Sequence, residues 1–265
     1  EQGLSAWSWQ GEPWIPGSVV SLLQPRLVQG SGEVADLPGA GMRVLLVEDH
    51  EVNRVLISMQ LSQLGARVLS AANGRLALDI LQSESVDLVL TDLQMPVMDG
   101  AELCRQLRAS ARWQPLPVYV ITADLSEQAA QRLADCGCQG HLDKPVLLKE
   151  LAILLRTVSG RSSVPLAEDA AVNATSMTTL LNPALINLYL VSARQDLADI
   201  EGCVTTGDEG ALNTALHKMK GAAKMVGAAA LVQVIERWQR APGQPLVEEL
   251  KQAVEEVCRQ LGERA

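Results

Sequence analysis

From Met42 onward the apolar residues arrive in short, almost unbroken runs, separated by stretches where they recur every three or four positions. The runs are 43-RVLLVED-49, 66-ARVLSA-71, 86-VDLVLTD-92, 117-PVYVITA-123 and 140-GHLDKP-145. Their length and β-branched content predict five strands. The intervening stretches predict helices from the first run to about Leu64, then over 74–82, 100–109, 126–135 and 147–158. Strands this uniformly apolar are buried on both faces, so residues 42–158 predict an α/β unit: a doubly wound, five-stranded parallel sheet covered by helices. After Val158 the rhythm stops. Residues 159–177 are small and polar, as in a flexible linker. Beyond them only helical periodicity remains: from Pro183, well placed to open a helix, to about Cys203, then 208–225, 228–240 and 246–261. Short loops between them predict an all-α four-helix bundle over 178–265. Residues 1–41, with Trp7, Trp9 and Trp14 among many Gly, Pro and Ser, read as a leader or interdomain linker, with a short strand or turn of helix over 19–29.

Composition narrows the function classes. A hydrophobic content of 48% against 20% charged residues is that of a globular chain with real cores. With no Phe, those cores must be filled by Leu, Val, Ala and Met. A net charge of -9, spread evenly along the chain, argues against a nucleic-acid partner. No apolar run approaches bilayer thickness, so direct membrane contact is not expected. The five Cys form no disulfide framework, and Cys136 with Cys138 has no second pair to complete a zinc knuckle.

Acids gather at the strand ends. Glu48 and Asp49 close the first strand, Asp92 the third; Thr122 ends the fourth, and Lys144 the fifth. Parallel doubly wound sheets place their sites at this edge. Three carboxylates there call for a hard divalent cation, which Mg²⁺ supplies. An aspartate can attack phosphorus, and a lysine and a hydroxyl beside it can carry the charge on phosphoryl oxygens. Singly, such residues are commonly helix caps; five of them at the ends of four strands are harder to dismiss.

These residues resemble the receiver domain of bacterial two-component signalling across roughly 42–158, through VEDHEVNR at 47–54, TDLQMPVMDG at 91–100, ITA at 121–123 and DKP at 143–145. The resemblance implies that Asp92 is the phosphoacceptor, that Glu48, Asp49 and the Gln94 carbonyl join it in binding Mg²⁺, and that Thr122 and Lys144 contact the phosphoryl group. His141 then occupies the switch position, where Tyr or Phe is common. Asn53 matches a form found in receivers attached to sensor kinases.

The remaining candidate lies in 213-NTALHKMKGAAKMVGAAAL-231. Residues three and four apart share a helix face, so His217 stacks with Lys220 and Gly221, while Leu212, Ala215, Leu216, Met219, Ala223 and Val226 draw the core face. A surface histidine with no role is one reading; zinc is poor, since no acid or Cys stands at ligand spacing. Gly221 costs about 1 kcal/mol in a helix relative to Ala, and a return for it is the removal of bulk near the imidazole. The segment is similar to the signature of histidine phosphotransfer (HPt) domains, over roughly 178–262. That resemblance implies phosphorylation of His217, electrostatic assistance from Lys220, and a docking face cleared by Gly221.

Receiver, linker and bundle in this order resemble the C-terminal part of a hybrid sensor histidine kinase. This implies a phosphorelay: phosphate arrives at Asp92 from an upstream histidine kinase domain, passes to His217, and leaves for a downstream response regulator. It also implies a cytoplasmic location, as part of an inner-membrane sensor kinase. With no glycine-rich nucleotide segment, the chain is not expected to bind ATP. A regulatory docking module that carries no phosphate is the alternative; an ester-cleaving enzyme using Asp92 explains neither the bundle nor the motifs.

Overall fold

The computed structural model describes residues 37–123, 127–160, 183–240 and 247–263. Strand and helix alternate through its first part: β1 (Arg43–Val47), α1 (Glu51–Gln63), β2 (Arg67–Ala71), α2 (Gly74–Ser83), β3 (Leu88–Asp92), α3 (Gly100–Ala109), β4 (Val118–Thr122), α4 (Glu127–Cys136), β5 (Gly140–Asp143) and α5 (Leu148–Val158). All strand pairs are parallel, in the order β2-β1-β3-β4-β5. Because successive side chains point to opposite faces, each apolar strand feeds two cores. Val44, Leu46, Leu88 and Leu90 pack with α1 and α5, through Leu56, Leu61, Leu151 and Leu155. Leu45, Val47, Val89 and Val120 pack on the other side with α2, α3 and α4, through Leu78, Leu103 and Leu107.

The strand order decides where the acids meet. β1 pairs directly with β3, in a register that sets Val47 opposite Thr91. Glu48 and Asp49, just past the end of one strand, therefore lie beside Asp92 at the end of the next. Ahead of β1, residues 37–41 turn onto the α1–β2 corner, where the Gly39 N–H donates to the Leu64 carbonyl at 2.8 Å.

Four helices follow: α6 (Pro183–Thr206), α7 (Glu209–Met225), α8 (Ala229–Arg240) and α9 (Val247–Gly262). Each packs on the next and α9 returns to α6, which closes a bundle around Ile186, Tyr189, Leu216, Met219, Ile235, Trp238, Leu250 and Val254. Asp208 caps α7 by accepting from the Ala211 N–H at 2.9 Å. The first helix of the bundle runs beyond Cys203 to Thr206, one turn longer than the apolar pattern predicts. Thr205 and Thr206 hydroxyls satisfy carbonyls of the preceding turn, and Gly207, at φ 71°, takes the left-handed conformation that ends the helix. Among the described residues no helix is long and apolar enough to cross a membrane. The 19–29 segment, the three leader Trp residues and most of the linker fall outside the described residues.

The pattern leaves the two units free to lie anywhere relative to each other. In the structure the bundle docks on the sheet unit, with α6 and α7 both touching α1. Buried apolar residues of the α1 and α5 side and those of the bundle form one continuous cluster.

Candidate functional site

Glu48, Asp49 and Asp92 converge as the register requires, each offering a ligand oxygen within 4.8 Å of the others. Lys144, just past β5, is brought in by a bond from its N–H to the Thr122 carbonyl at 2.8 Å. Its Nζ lies 2.6 Å from Asp92 Oδ2 and 2.7 Å from Glu48 Oε2. All four groups but Asp49 are fully buried, and Asp49 is half-buried. The Gln94 N–H donates to Asp92 Oδ1 at 3.2 Å, which folds the loop after β3 back over the acid. Gly100 is required here, since a side-chain carbon would run into the Asp92 carbonyl. Thr122 is buried at the end of β4.

Charge in this pocket is unbalanced. Burial, only partly offset by Lys144 and reinforced by Asp92, holds Glu48 above the usual carboxylate range. Burial and the neighbouring Asp92 charge push Asp49 up to about 6. Burial works against the Lys144 ammonium as well, but Asp92 and Glu48 outweigh it and hold its pKa above that of a free lysine. Three carboxylates thus share one buried cation. An all-oxygen donor set with excess negative charge fits a hard divalent ion such as Mg²⁺.

Two residues of α1 tie this pocket together. Asn53 Nδ2 donates to Glu48 Oε1 at 3.0 Å, and Arg54 donates to the Glu48 carbonyl at 2.7 Å. Asn53 also faces the bundle. A Cβ placed on Gly221 would lie 3.4 Å from Asn53 Nδ2 and 3.6 Å from Lys144 Nζ, the same ammonium that holds Asp92. The α7 face that carries Gly221 therefore rests on the acidic pocket, and His217 lies one turn earlier on that face. Lys224, a turn later, donates to the Ala123 carbonyl at 2.6 Å, just beyond Thr122.

The structure departs from the sequence expectation on this face. The imidazole side of α7 reads as open to a partner, yet His217 and Lys220 are each only 6% exposed and Gly221 is buried. Gly221 is covered by Asn53 of α1 and by Lys144 of the sheet unit, a contact that no periodicity within α7 encodes. Lys220 reaches Glu236 at 3.2 Å and Gln239 at 3.4 Å, both on α8. His141 is exposed on β5, away from this contact.

Sequence reasoning passed over a second polar contact between the units. His50, 1% exposed, places Nε2 3.0 Å from Asp196 Oδ2 and 3.1 Å from Ser192 Oγ on α6. Asp196 Oδ1 lies 3.3 Å from Lys218 Nζ. One signal was present: Asp196 interrupts an otherwise apolar helical stripe of Tyr189, Ala193 and Ile200.

Known proteins are similar to both parts of the chain. The family model of the response regulator receiver domain matches residues 44–156, and that of the Hpt domain matches residues 184–260. The sensor histidine kinase GacS of Pseudomonas protegens is 29% identical over 237 residues, covering 82% of this chain and 26% of its own. The sensory/regulatory protein RpfC of Xanthomonas campestris pv. campestris is 30% identical over 209 residues, covering 71% and 29%. The virulence sensor protein BvgS of Bordetella pertussis is 29% identical over 235 residues, covering 78% and 19%. The chain thus spans less than a third of the length of these relatives. Among solved structures, the receiver domain of the Pseudomonas aeruginosa sensor histidine kinase PA1611, described with a magnesium ion in its active-site cleft, is 32% identical, with a TM-score of 0.44; the match covers 46% of this chain and 99% of that one. Residues 44–156 are a response regulator receiver domain and residues 184–260 an Hpt domain, which together make this chain a phosphorelay signal-transduction protein.

Proposed function

We propose that Asp92 receives a phosphoryl group and hands it to His217 within one chain. The observation that carries this reading is the position of Gly221: the face that bears His217 sits on Lys144, and Lys144 is bonded to Asp92. In the transfer, a ring nitrogen of His217 attacks phosphorus, a P–N bond forms, the P–O bond to Asp92 breaks, and Asp92 leaves as a carboxylate. Lys144 and the Thr122 hydroxyl carry the charge on the phosphoryl oxygens, and Lys144 then stabilises the returning carboxylate. Lys220, held by Glu236, keeps a positive charge on the helix of the reacting imidazole. Docking makes the step unimolecular, and the covered interface keeps water from the acyl phosphate.

Glu48, Asp49, Asp92 and the Gln94 carbonyl are the residues that would hold Mg²⁺. When bound, that ion neutralises the acids and the incoming phosphoryl charge. The donor for Asp92 is a phosphohistidine on an upstream kinase domain, and the acceptor from His217 is the aspartate of a response regulator. Residues 42–158 and 178–265 are the two working domains, joined by 159–177, with His141 at the switch position of the receiver. By likeness to the sensor kinases above, the chain works in the cytoplasm as part of a membrane-bound sensor.

A phosphotransfer time course tests the reading. Acetyl phosphate and Mg²⁺ should label Asp92 first, as base-labile phosphate, and then His217, as acid-labile phosphate. Asp92→Asn should abolish both, and His217→Gln should leave only the first. Label reaching His217 in the Asp92→Asn chain would overturn the order, and a labelled Asp92 that never passes label to an intact His217 would overturn the relay.

A further inference from the structure

The contact between His50 and Asp196 is made of groups that water would otherwise solvate. His50 is 1% and Asp196 2% exposed, and they come from different domains. The Asp196 carboxylate is divided: Oδ1 faces Lys218 of its own domain at 3.3 Å, while Oδ2 faces the docked receiver's imidazole at 3.0 Å. His50 directly follows Glu48 and Asp49, and its backbone N–H lies 3.4 Å from Glu48 Oε1. A donor at this position is thus delivered to the bundle whenever the acidic pocket is. An apolar side chain in its place would bury Oδ2 without a partner, and an unmatched buried acceptor is costly.

We propose that Asp196, braced by Lys218, is a specificity-determining residue of the bundle, selecting receivers that carry a hydrogen-bond donor directly after their paired metal-site acids. The inference rests on the phosphorelay reading and deepens it: it names the chemistry that the internal receiver satisfies through His50 and that an outgoing response regulator must reproduce. Selection by one buried pair follows the general rule that discrimination comes from what the wrong partner leaves unpaired.

The test sets two full-length chains against each other. The donor carries His217→Gln and is phosphorylated at Asp92 by acetyl phosphate, with either His50 or His50→Leu; rates are normalised to the Asp92 phosphate that each donor holds. The recipient carries Asp92→Asn with an intact His217, and either Asp196 or Asp196→Leu. Comparing two donors on one recipient cancels the recipient's folding and its own internal docking. On the Asp196 recipient the His50 donor should transfer about five- to a hundredfold faster than the Leu donor. On the Asp196→Leu recipient that preference should vanish or reverse. An unchanged preference on both recipients would overturn the inference while leaving the relay intact. No label on His217 from any donor, and none passing from Asp92 to His217 within the wild-type chain, would overturn the relay reading, and the inference with it.

Discussion

The charge imbalance around Asp92 makes a prediction that runs against the usual effect of removing a functional group. Asp49→Asn should make the metal-free protein more stable at neutral pH. The magnitude follows from Asp49, whose carboxyl moves from 3.8 to about 6 on folding, through burial first and the Asp92 charge second. A group whose folded pKa is raised contributes stability that is fully present below its unfolded pKa and is lost as pH rises through the folded value. At about pH 7 that loss is complete, at about 3 kcal/mol; at about pH 4.5 it is only about 1 kcal/mol, because folded Asp49 is still protonated. Asn carries no charge at either pH. Urea unfolding in EDTA, followed at both pH values, should therefore find the variant ahead by about 3 kcal/mol and about 1 kcal/mol respectively. Mg²⁺ removes the same repulsion by a different route, so millimolar Mg²⁺ should stabilise the wild type and act weakly on the variant. Equal stability of the two proteins in EDTA at neutral pH, or the same Mg²⁺ gain in both, would refute the reasoning.

The opposite sign is expected from Lys144→Met, which removes the buried cation held between Glu48 and Asp92. It should destabilise the metal-free receiver by about 3–5 kcal/mol at neutral pH, with Mg²⁺ restoring part of the loss, as read by the same unfolding experiment. Gly221 offers a size series. A methyl would stand 3.4 Å from Asn53 Nδ2 and 3.6 Å from Lys144 Nζ, ordinary contact distances, so Gly221→Ala should fit and stabilise α7 by about 1 kcal/mol. Gly221→Leu should instead lift α7 off α1, leaving helical content unchanged by circular dichroism while slowing Asp92-to-His217 transfer more than tenfold. Equal transfer rates in the Ala and Leu chains would show that the face is not closed during the reaction.

What could be read in the sequence, and what could not, divides along one physical line. The sheet was legible because each parallel strand is apolar on both faces, so 43-RVLLVED-49 and 86-VDLVLTD-92 announce both their burial and the acids that stop them. Once those runs are strands, β1 beside β3 puts Glu48, Asp49 and Asp92 at one edge, and the pocket follows from topology. The bundle's core was legible for the same reason: Leu216, Met219 and Ala223 repeat at helical spacing. The interface was not, because its α7 face is built from His217, Gly221 and Lys224, a composition that suits water equally well. Its burial is conferred by another domain, through Asn53 and Lys144 against Gly221 and through Ala123 against Lys224. A docking face that must also release its partner cannot be strongly apolar, or it would never open for a response regulator. Polar pairs made between the two domains, such as His50 with Asp196, supply selectivity without that adhesion. The lone acid in the apolar stripe of α6 is the trace such a pair leaves in a sequence.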